Sequence, residues 1–367
     1  MHLVKGKIVL DSEIIKKYND KYVIAEVDGN TIWSIDLKDN LSLKLLTQFS
    51  GESKSKRCFG DVIIEGNKLF FVPFSATSLY CLDMDTNETS CLLDFIGIAN
   101  KKYKVNCKFM SGHIYGEYLY LMPAAFPGIV KLNLHTKQYF IIDKWIDEPA
   151  IKDLNDGYFR KTLLHDGKIY APFCDISKML VLDLKTDSVT LENIWNDHQG
   201  FSSVSIHNNK IYLSPRNDGE ITVIDLGTSN KTKIDKEICG NAVLCEWGTN
   251  IVSSPSASGK VYVIDDDNNY VELLNSDGGY VTSVVSDDNL IVYLSEEGIL
   301  RCYSNDMKLI SEKYVRFELN NKNEENIKII DILYRRCCES SNWPTKENLD
   351  YDLTAFISSI INSEAVD

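Results

Sequence analysis

Apolar residues along this chain come in short runs broken by polar or glycine-bearing turns, and the runs themselves repeat over a distance far longer than one strand. A polar, an aliphatic and then an aromatic residue recur as Lys68-Leu69-Phe70, Tyr118-Leu119-Tyr120, Lys168-Ile169-Tyr170 and Lys210-Ile211-Tyr212. Two further copies, Asn250-Ile251-Val252 and Asn289-Leu290-Ile291, keep an aliphatic residue in the third place. The central positions 69, 119, 169, 211, 251 and 290 are spaced by 50, 50, 42, 40 and 39 residues. Fourteen residues beyond the first five stand Asp83, Asn133, Asp183, Asp225 and Asp265, each closing an apolar run, and the same step from Leu290 reaches Ser304. Ten residues before the central positions stand Phe59, Phe109, Phe159 and Phe201, then Asn241 and Tyr280. An N-terminal copy, from Val23 to Asp36, reads as one residue shorter. Three registers agree, so one structural unit is present seven times.

Each unit divides into four short strands, which in the third copy span roughly 108–114, 117–122, 129–133 and 138–142. Alternation within strands such as Ile221-Thr222-Val223-Ile224 is imperfect, as expected for strands buried on both faces. One four-stranded unit cannot bury its own faces, so the copies must pack on one another. The pattern predicts an all-β, seven-bladed β-propeller of four-stranded antiparallel blades over residues 1–319. Residues 3–10 or 314–319 offer a spare strand that would complete a blade shared by the two ends. Residues 320–367 form a C-terminal extension, in which Leu349, Leu353, Phe356, Ile357, Ile360 and Ile361 share one side of a helix at about 349–362. Docking of that helix on the propeller is its simplest role, and capture of a partner is the alternative.

The stretch from Lys68 through Pro73, Leu79-Tyr80-Cys81-Leu82-Asp83 and Thr86 resembles the strand-Pro-loop-strand-Asp-x-x-Thr unit of bacterial propellers related to the YVTN, Kelch-like and quinoprotein-like repeats. Echoes follow at Pro123-Ala124-Ala125-Phe126-Pro127, at Pro172-Phe173-Cys174-Asp175 and at Asp183-Leu184-Lys185-Thr186. The resemblance is one of repeat type and implies fold far more than function. The Gly-His and Trp-Asp pairs of WD repeats are absent, the glycine doublet of Kelch repeats occurs only at Gly278-Gly279, and the Trp that docks quinoprotein blades is missing. No quinone or other cofactor is implied.

Composition narrows the function classes. The chain has 367 residues and a formal charge of −14, which disfavours a nucleic-acid partner because phosphate neutralisation needs clustered Lys and Arg. No basic n-region precedes an apolar stretch at the N-terminus, and no window approaches the ~18 apolar residues of a membrane span. The ten cysteines lack a CxxC pair and mostly lie in strand-like runs, as free thiols of a reducing cytoplasm would. Phosphate loops, dinucleotide fingerprints, zinc helices and nucleophile elbows are all missing. Asp83-Met84-Asp85-Thr86-Asn87 imitates the start of a calcium loop, but Glu88 replaces the required glycine and the run coincides with a recurring turn, so no metal site is expected.

In a propeller the long connections open on one face, around a channel lined by the innermost strands, and functional residues collect on such loops. The long segments 94–107 and 143–157 and the loops after Pro73, Pro123 and Pro172 belong there, which biases the site towards blades two to four. The candidate ligand contacts are Phe59, Lys108, Phe109, His113, Tyr158, Phe159 and Arg160, with Phe74, Phe126 and Phe173 on the Pro-led loops. For the repeated phenylalanines the competing reading is packing between blades. For His113 it is a satisfied core histidine, and for Lys54, Lys56 and Arg57 a solvated loop. His165 and His207 fall in matching turns on the opposite face. The expected function is non-catalytic recognition of a peptide, partner protein or glycan by a monomeric cytoplasmic protein. The alternative is a hydrolase, lyase or epimerase acting on a carbohydrate or peptide derivative in the channel, which would require acid, base and cation to converge near His113, Arg160 and Asp61.

Overall fold

Each repeat folds as an antiparallel meander whose four strands pair strictly in sequence order. The computed structural model describes residues 2–315 apart from 5–6, 28–29, 37–42, 50, 53–56, 97–106, 153, 155–156, 198, 256–257, 277–279 and 296. Blade one comprises Ile14–Tyr18, Lys21–Ala25, Thr31–Asp36 and Leu43–Gln48, and blade two Phe59–Glu65, Lys68–Pro73, Ser78–Asp83 and Glu88–Asp94. Blade three is Phe109–Tyr115, Tyr118–Pro123, Ile129–Asn133 and Tyr139–Ile142, and blade four Leu163–His165, Lys168–Pro172, Lys178–Asp183 and Ser188–Asn193. Blade five is Phe201–His207, Lys210–Pro215, Gly219–Asp225 and Lys231–Ile238, blade six Ala242–Trp247, Asn250–Pro255, Lys260–Ile264 and Tyr270–Asn275, and blade seven Val281–Ser286, Asn289–Leu294, Ile299–Tyr303 and Leu309–Tyr314. The expected architecture is therefore present. Its C-terminal extension, the helix at 349–362, Lys54, Lys56 and the Gly278-Gly279 doublet lie outside the described residues.

Burial peaks in the second and third strands of a blade and falls in the fourth, which is why the patterning is not a simple alternation. Second strands such as Lys68–Pro73 are buried on both faces, whereas fourth strands such as Glu88–Asp94 face water. The recurring Asp is explained by the turn it closes. Asp83 Oδ1 accepts from the amides of Asp85 and Thr86 at 3.0 and 3.2 Å, and Asp183 Oδ1 accepts from Lys185 and Thr186 at 2.9 and 3.1 Å. The chain then passes through the left-handed region at Asn87, Lys137, Asp187 and Ser229. These hydrogen bonds occupy the Asp83 carboxylate in turn formation, and among the described residues no cluster of three potential metal ligands occurs.

Neighbouring blades are wedged apart by aromatic triads. Phe59 meets Phe49 and Phe71 at 5.1 and 5.5 Å between ring centroids, Phe109 meets Phe95 and Phe126 at 5.1 and 4.8 Å, and Phe159 meets Trp145 and Phe173 at 5.5 and 4.8 Å. Trp145 arrives on a short 3₁₀ turn, Lys144–Asp147, followed by a single helical turn, Pro149–Lys152, neither of which the strand pattern foretells. On the loop-rich face, amides at the start of one blade donate to carbonyls of the preceding blade: Lys108 to Phe74 at 2.8 Å, Phe201 to Phe173 at 2.8 Å, and Asn241 to Pro215 at 3.2 Å.

Closure differs from the expected shared blade. Residues His2–Val4 and Lys7–Val9 pair with each other, while blades one and seven each hold four consecutive strands. The ring closes by packing, with Leu10, Ile15 and Trp33 against Ile291, Tyr293 and Val315, and with the Tyr293 hydroxyl donating to the Leu10 carbonyl at 3.0 Å. The N-terminal repeat is also not shorter. Lys21 faces Asp36 as Lys68 faces Asp83, so the matching aliphatic position is held by Tyr22, fourteen residues before Asp36.

Glycine is required where blade five enters the ring. A Cβ on Gly200 would lie 1.6 Å from the Cys174 carbonyl oxygen, whereas one on Gly51 would meet nothing within 4 Å. Gly200→Ala is expected to lower stability by roughly 2–3 kcal/mol and Gly51→Ala to leave it near wild type, read from urea-denaturation midpoints.

Candidate functional site

The innermost strands surround a cavity of about 660 Å³ that runs along the propeller axis. Its two halves differ in chemistry. Blades five to seven contribute Val204, Val243, Cys245, Thr282 and Ser283 with Glu246 as their one charged side chain, whereas blades one to four contribute Glu13, Lys16, Asp61, His113 and Lys161. A separate hollow of about 670 Å³ lies at blade five, lined largely by exposed charges such as Asp218, Lys236 and Glu237. It lacks the buried, converging groups of the channel.

Local backbone irregularities aim the channel residues. Ladder register shifts between Phe59 and Asp61, between Phe109 and Ser111, and between Phe201 and Ser203 place a bulge at the start of three innermost strands. In blade four the interruption is larger. Phe159 still bridges to Phe173, but Arg160–Thr162 leave the ladder before Leu163–His165 resume it. The Lys161 amide donates instead to the Ser202 carbonyl of blade five at 3.0 Å. Its ammonium donates to the Gly60 carbonyl at 2.9 Å and the Met110 carbonyl at 3.4 Å, the very residues bulged out on blades two and three.

Asp61 lies between two ammonium groups, Lys16 at 3.1 Å and Lys161 at 3.7 Å. Burial alone would raise its carboxyl, but the two lysines together with the Val62 amide, which donates to Oδ1 at 2.9 Å, hold it below its ordinary value. Burial pushes the Lys161 ammonium down, against the opposing pull of Asp61. His113 Nε2 is hydrogen-bonded to the Thr162 hydroxyl at 2.7 Å, and that hydroxyl also meets Ser111 Oγ at 2.7 Å. Burial lowers the His113 pKa to about 4, so the imidazole is neutral at pH 7.

At the mouth above this layer, Glu13 accepts from both Arg57 and Arg160, the latter at 3.3 Å. The Arg57 guanidinium lies 5.6 Å from the Phe74 ring centroid. Arg216, on the Pro-led loop of blade five, is fixed by Asn241 Oδ1. Burial lowers the Arg160 pKa; Glu13 opposes this, and the neighbouring charges of Arg57 and Arg216 add to it. Lys108 is buried, with its ammonium 3.4 Å from the Ser75 carbonyl, and burial likewise pushes its pKa down.

Of the ten residues proposed from sequence, Phe59, Phe109, Phe126, Phe159 and Phe173 are 0–3 % exposed and belong to cores between blades, so the wedge reading describes their place and not the ligand-facing one. Phe74 and Tyr158 remain half-buried at the rim, Tyr158 edge-on to Trp145 at 5.0 Å. Arg160 and Lys108 are at the mouth, and His113 is in the channel. Sequence reasoning missed Glu13, Lys16, Lys161, Thr162 and Arg216, and it dismissed Arg57. A signal existed in the repeat register. Two residues after the recurring aromatic stand Asp61, Ser111, Lys161, Ser203, Val243 and Thr282, and only blades two and four place a charge there.

No protein-family model matches the chain, and no curated protein matches it either. Solved structures do. Virginiamycin B lyase from Staphylococcus aureus, in a catalytically inactive form with quinupristin, superposes with a TM-score of 0.62 at 10% identity, covering 79% of this chain and 95% of that one. The likeness is one of fold. BamB from Moraxella catarrhalis gives 0.54 at 14% identity over 84% and 90% of the two chains. PorZ, an essential bacterial surface component of the type-IX secretion system of Porphyromonas gingivalis, gives 0.58 at 13% identity over 84% of this chain and 38% of that one. The Kelch-like part of the sequence resemblance gains nothing specific from these neighbours.

Two outcomes test the channel chemistry. His113 has its pKa lowered in the folded state, so the unfolded chain binds the extra proton between about pH 6.5 and 4 and stability falls as pH drops through that window. This group accounts for a loss of about 3 kcal/mol, and His113→Asn should remove that part of the pH dependence in urea titrations at pH 7 and pH 4. Lys161→Met strands two buried carbonyls and half of the Asp61 pairing. It should cost about 3 kcal/mol at pH 7, measured the same way.

Proposed function

We propose that the protein is a non-catalytic recognition module that binds its ligand at the loop-rich mouth of the channel. The observation that carries this reading is the closure of the charged groups beneath the mouth upon one another. Lys161 is engaged by two carbonyls and a carboxylate, Asp61 by two lysines, and His113 by Thr162. A general base works best with a pKa near the operating pH, and burial takes His113 well below it. What faces an arriving ligand is the rim, where Phe74 and Tyr158 supply partly open aromatic faces beside Arg57 and Arg160. Aromatic faces with a few fixed charges suit a peptide, a partner surface or a glycan. A cytoplasmic setting is supported by the eight described cysteines, all free thiols, while no described helix is long and apolar enough to cross a membrane.

One observation favours the rival class. Asp61, Lys161 and His113 do converge, with displaced pKa values, as an enzyme acting on a carbohydrate or peptide derivative would require. Virginiamycin B lyase is an enzyme by name with this fold, whereas BamB and PorZ carry no catalytic name.

Thermal-shift screening of peptide, glycan and metabolite libraries against wild type, the Phe74→Ala/Tyr158→Ala double variant and Asp85→Asn, in an exposed turn outside the channel, separates the readings. Expected are ligands whose shift is lost in the double variant, kept in Asp85→Asn, and recovered chemically unchanged by mass spectrometry. Ligand conversion that disappears in His113→Asn would replace recognition by catalysis.

A further inference from the structure

We infer that the channel beneath the mouth is a sugar-hydroxyl site, built to take the end of a neutral glycan between Asp61, Lys16 and Thr282. This rests on the recognition reading and adds the ligand class. The charges of this layer answer one another, but its hydrogen-bonding capacity is not used up. Lys16, Lys161 and the Val62 amide all converge on Oδ1 of Asp61, and Oδ2 has no hydrogen-bond partner among the described residues. Asp61 is only 6 % exposed, yet Oδ2 is not sealed in the protein; it opens on the cavity that Asp61 lines. An acceptor so placed calls for a donor from whatever occupies the channel. The Thr282 hydroxyl of blade seven is an independent second ground. It lines the same cavity at 8 % exposure, stands like Asp61 two residues beyond the recurring aromatic, and is bonded to nothing among the described residues. Between the two, on blade one, the Lys16 ammonium meets only Asp61 among the described residues and keeps donors to spare.

The chemistry of these open groups selects the ligand. An anion is repelled at Oδ2 by the carboxylate itself, and a cation by Lys16 and Lys161 beside it. His113, neutral at pH 7, adds no charge that would favour either. A hydroxyl suits both neighbours, because it donates to a carboxylate oxygen and accepts from an ammonium. Lys16 Nζ lies 3.1 Å from the Asp61 carboxylate, so acceptor and donor stand side by side and must be answered from one direction. Adjacent hydroxyls on a sugar ring do this with a single rigid fragment, through charge-assisted hydrogen bonds. A trans peptide unit does not, because its N–H and C=O point in opposite directions. Across the channel, Val204 and Val243 offer small apolar faces to the C–H side of a ring, and the cavity's volume of about 660 Å³ is that of a small-molecule site.

Saturation-transfer NMR of the full chain with the methyl glycosides of glucose, galactose, mannose and N-acetylglucosamine, at millimolar concentration, tests this directly. Wild type should transfer saturation to at least one of the four. Thr282→Val, which removes a hydroxyl without a partner and so leaves the fold undisturbed, should weaken that binding about five- to tenfold, and Lys16→Met about tenfold or more. One deoxy analogue of the bound glycoside should bind wild type more weakly and lose nothing further in Thr282→Val. If Lys16→Met fails to fold, Thr282→Val and the deoxy analogues carry the test. Transfer to none of the four glycosides, or transfer indifferent to Thr282→Val and Lys16→Met, would overturn the assignment. Peptide-library ligands weakened by those two variants while no glycoside binds would overturn it in favour of a peptide. Library ligands that depend on Phe74 and Tyr158 while ignoring Thr282 and Lys16 would overturn it yet leave recognition at the mouth standing. Ligands indifferent to both sets of variants would overturn both.

Discussion

The Lys161 ammonium holds together parts of the ring that backbone pairing leaves apart. Bulges at Gly60 and Met110 free two carbonyls at the axis, and one side chain from blade four takes both while pairing with Asp61 of blade two. Its own amide reaches Ser202 of blade five. A propeller whose first and last blades exchange no strand relies on such lateral ties, because its sheets are otherwise joined by side-chain packing and by backbone hydrogen bonds on the loop-rich face. Burying this cluster is tolerable only because each charge has a partner within reach; an isolated ammonium at the axis would cost several kcal/mol.

That constraint also sorts the site from its support. Groups locked beneath the mouth, namely Lys16, Asp61, Lys161 and His113, fix the spacing of blades one to four. Groups above them, Glu13 with Arg57 and Arg160, inherit a rigid base from the layer below. Phe59, Phe109 and Phe159 contribute indirectly, by setting the angle between blades that brings those arginines together.

The fold was legible because each anchor answers to one local physical need. Asp83 and Asp183 recur because a short turn needs a side-chain acceptor, and Phe109 recurs because adjacent sheets diverge and must be filled. Two details resisted. The register of the first blade was hidden because Tyr22 takes the aliphatic position, and closure was misjudged because an antiparallel hairpin at the N-terminus has the same alternation as a strand awaiting a partner. The site was legible only in part. Repetition draws the eye to what all blades share, whereas Arg160 and Lys161 matter because blade four breaks its ladder there, and a strand interruption leaves no mark in hydropathy. Glu13 and Arg57 are far apart in sequence and meet only through the ring.

The central claim is that a closed ionic cluster at the axis, with Lys161 at its centre, fixes the spacing of blades two to four. Crystal structures of the full chain and of its Lys161→Met variant read it most directly. The account predicts the Lys161 ammonium on the Gly60 and Met110 carbonyls and beside Asp61 in the wild type, with the Gly60–Asp61 backbone displaced in the variant. A wild-type Lys161 turned to solvent, or a variant in which blades two to four keep their places, would contradict it.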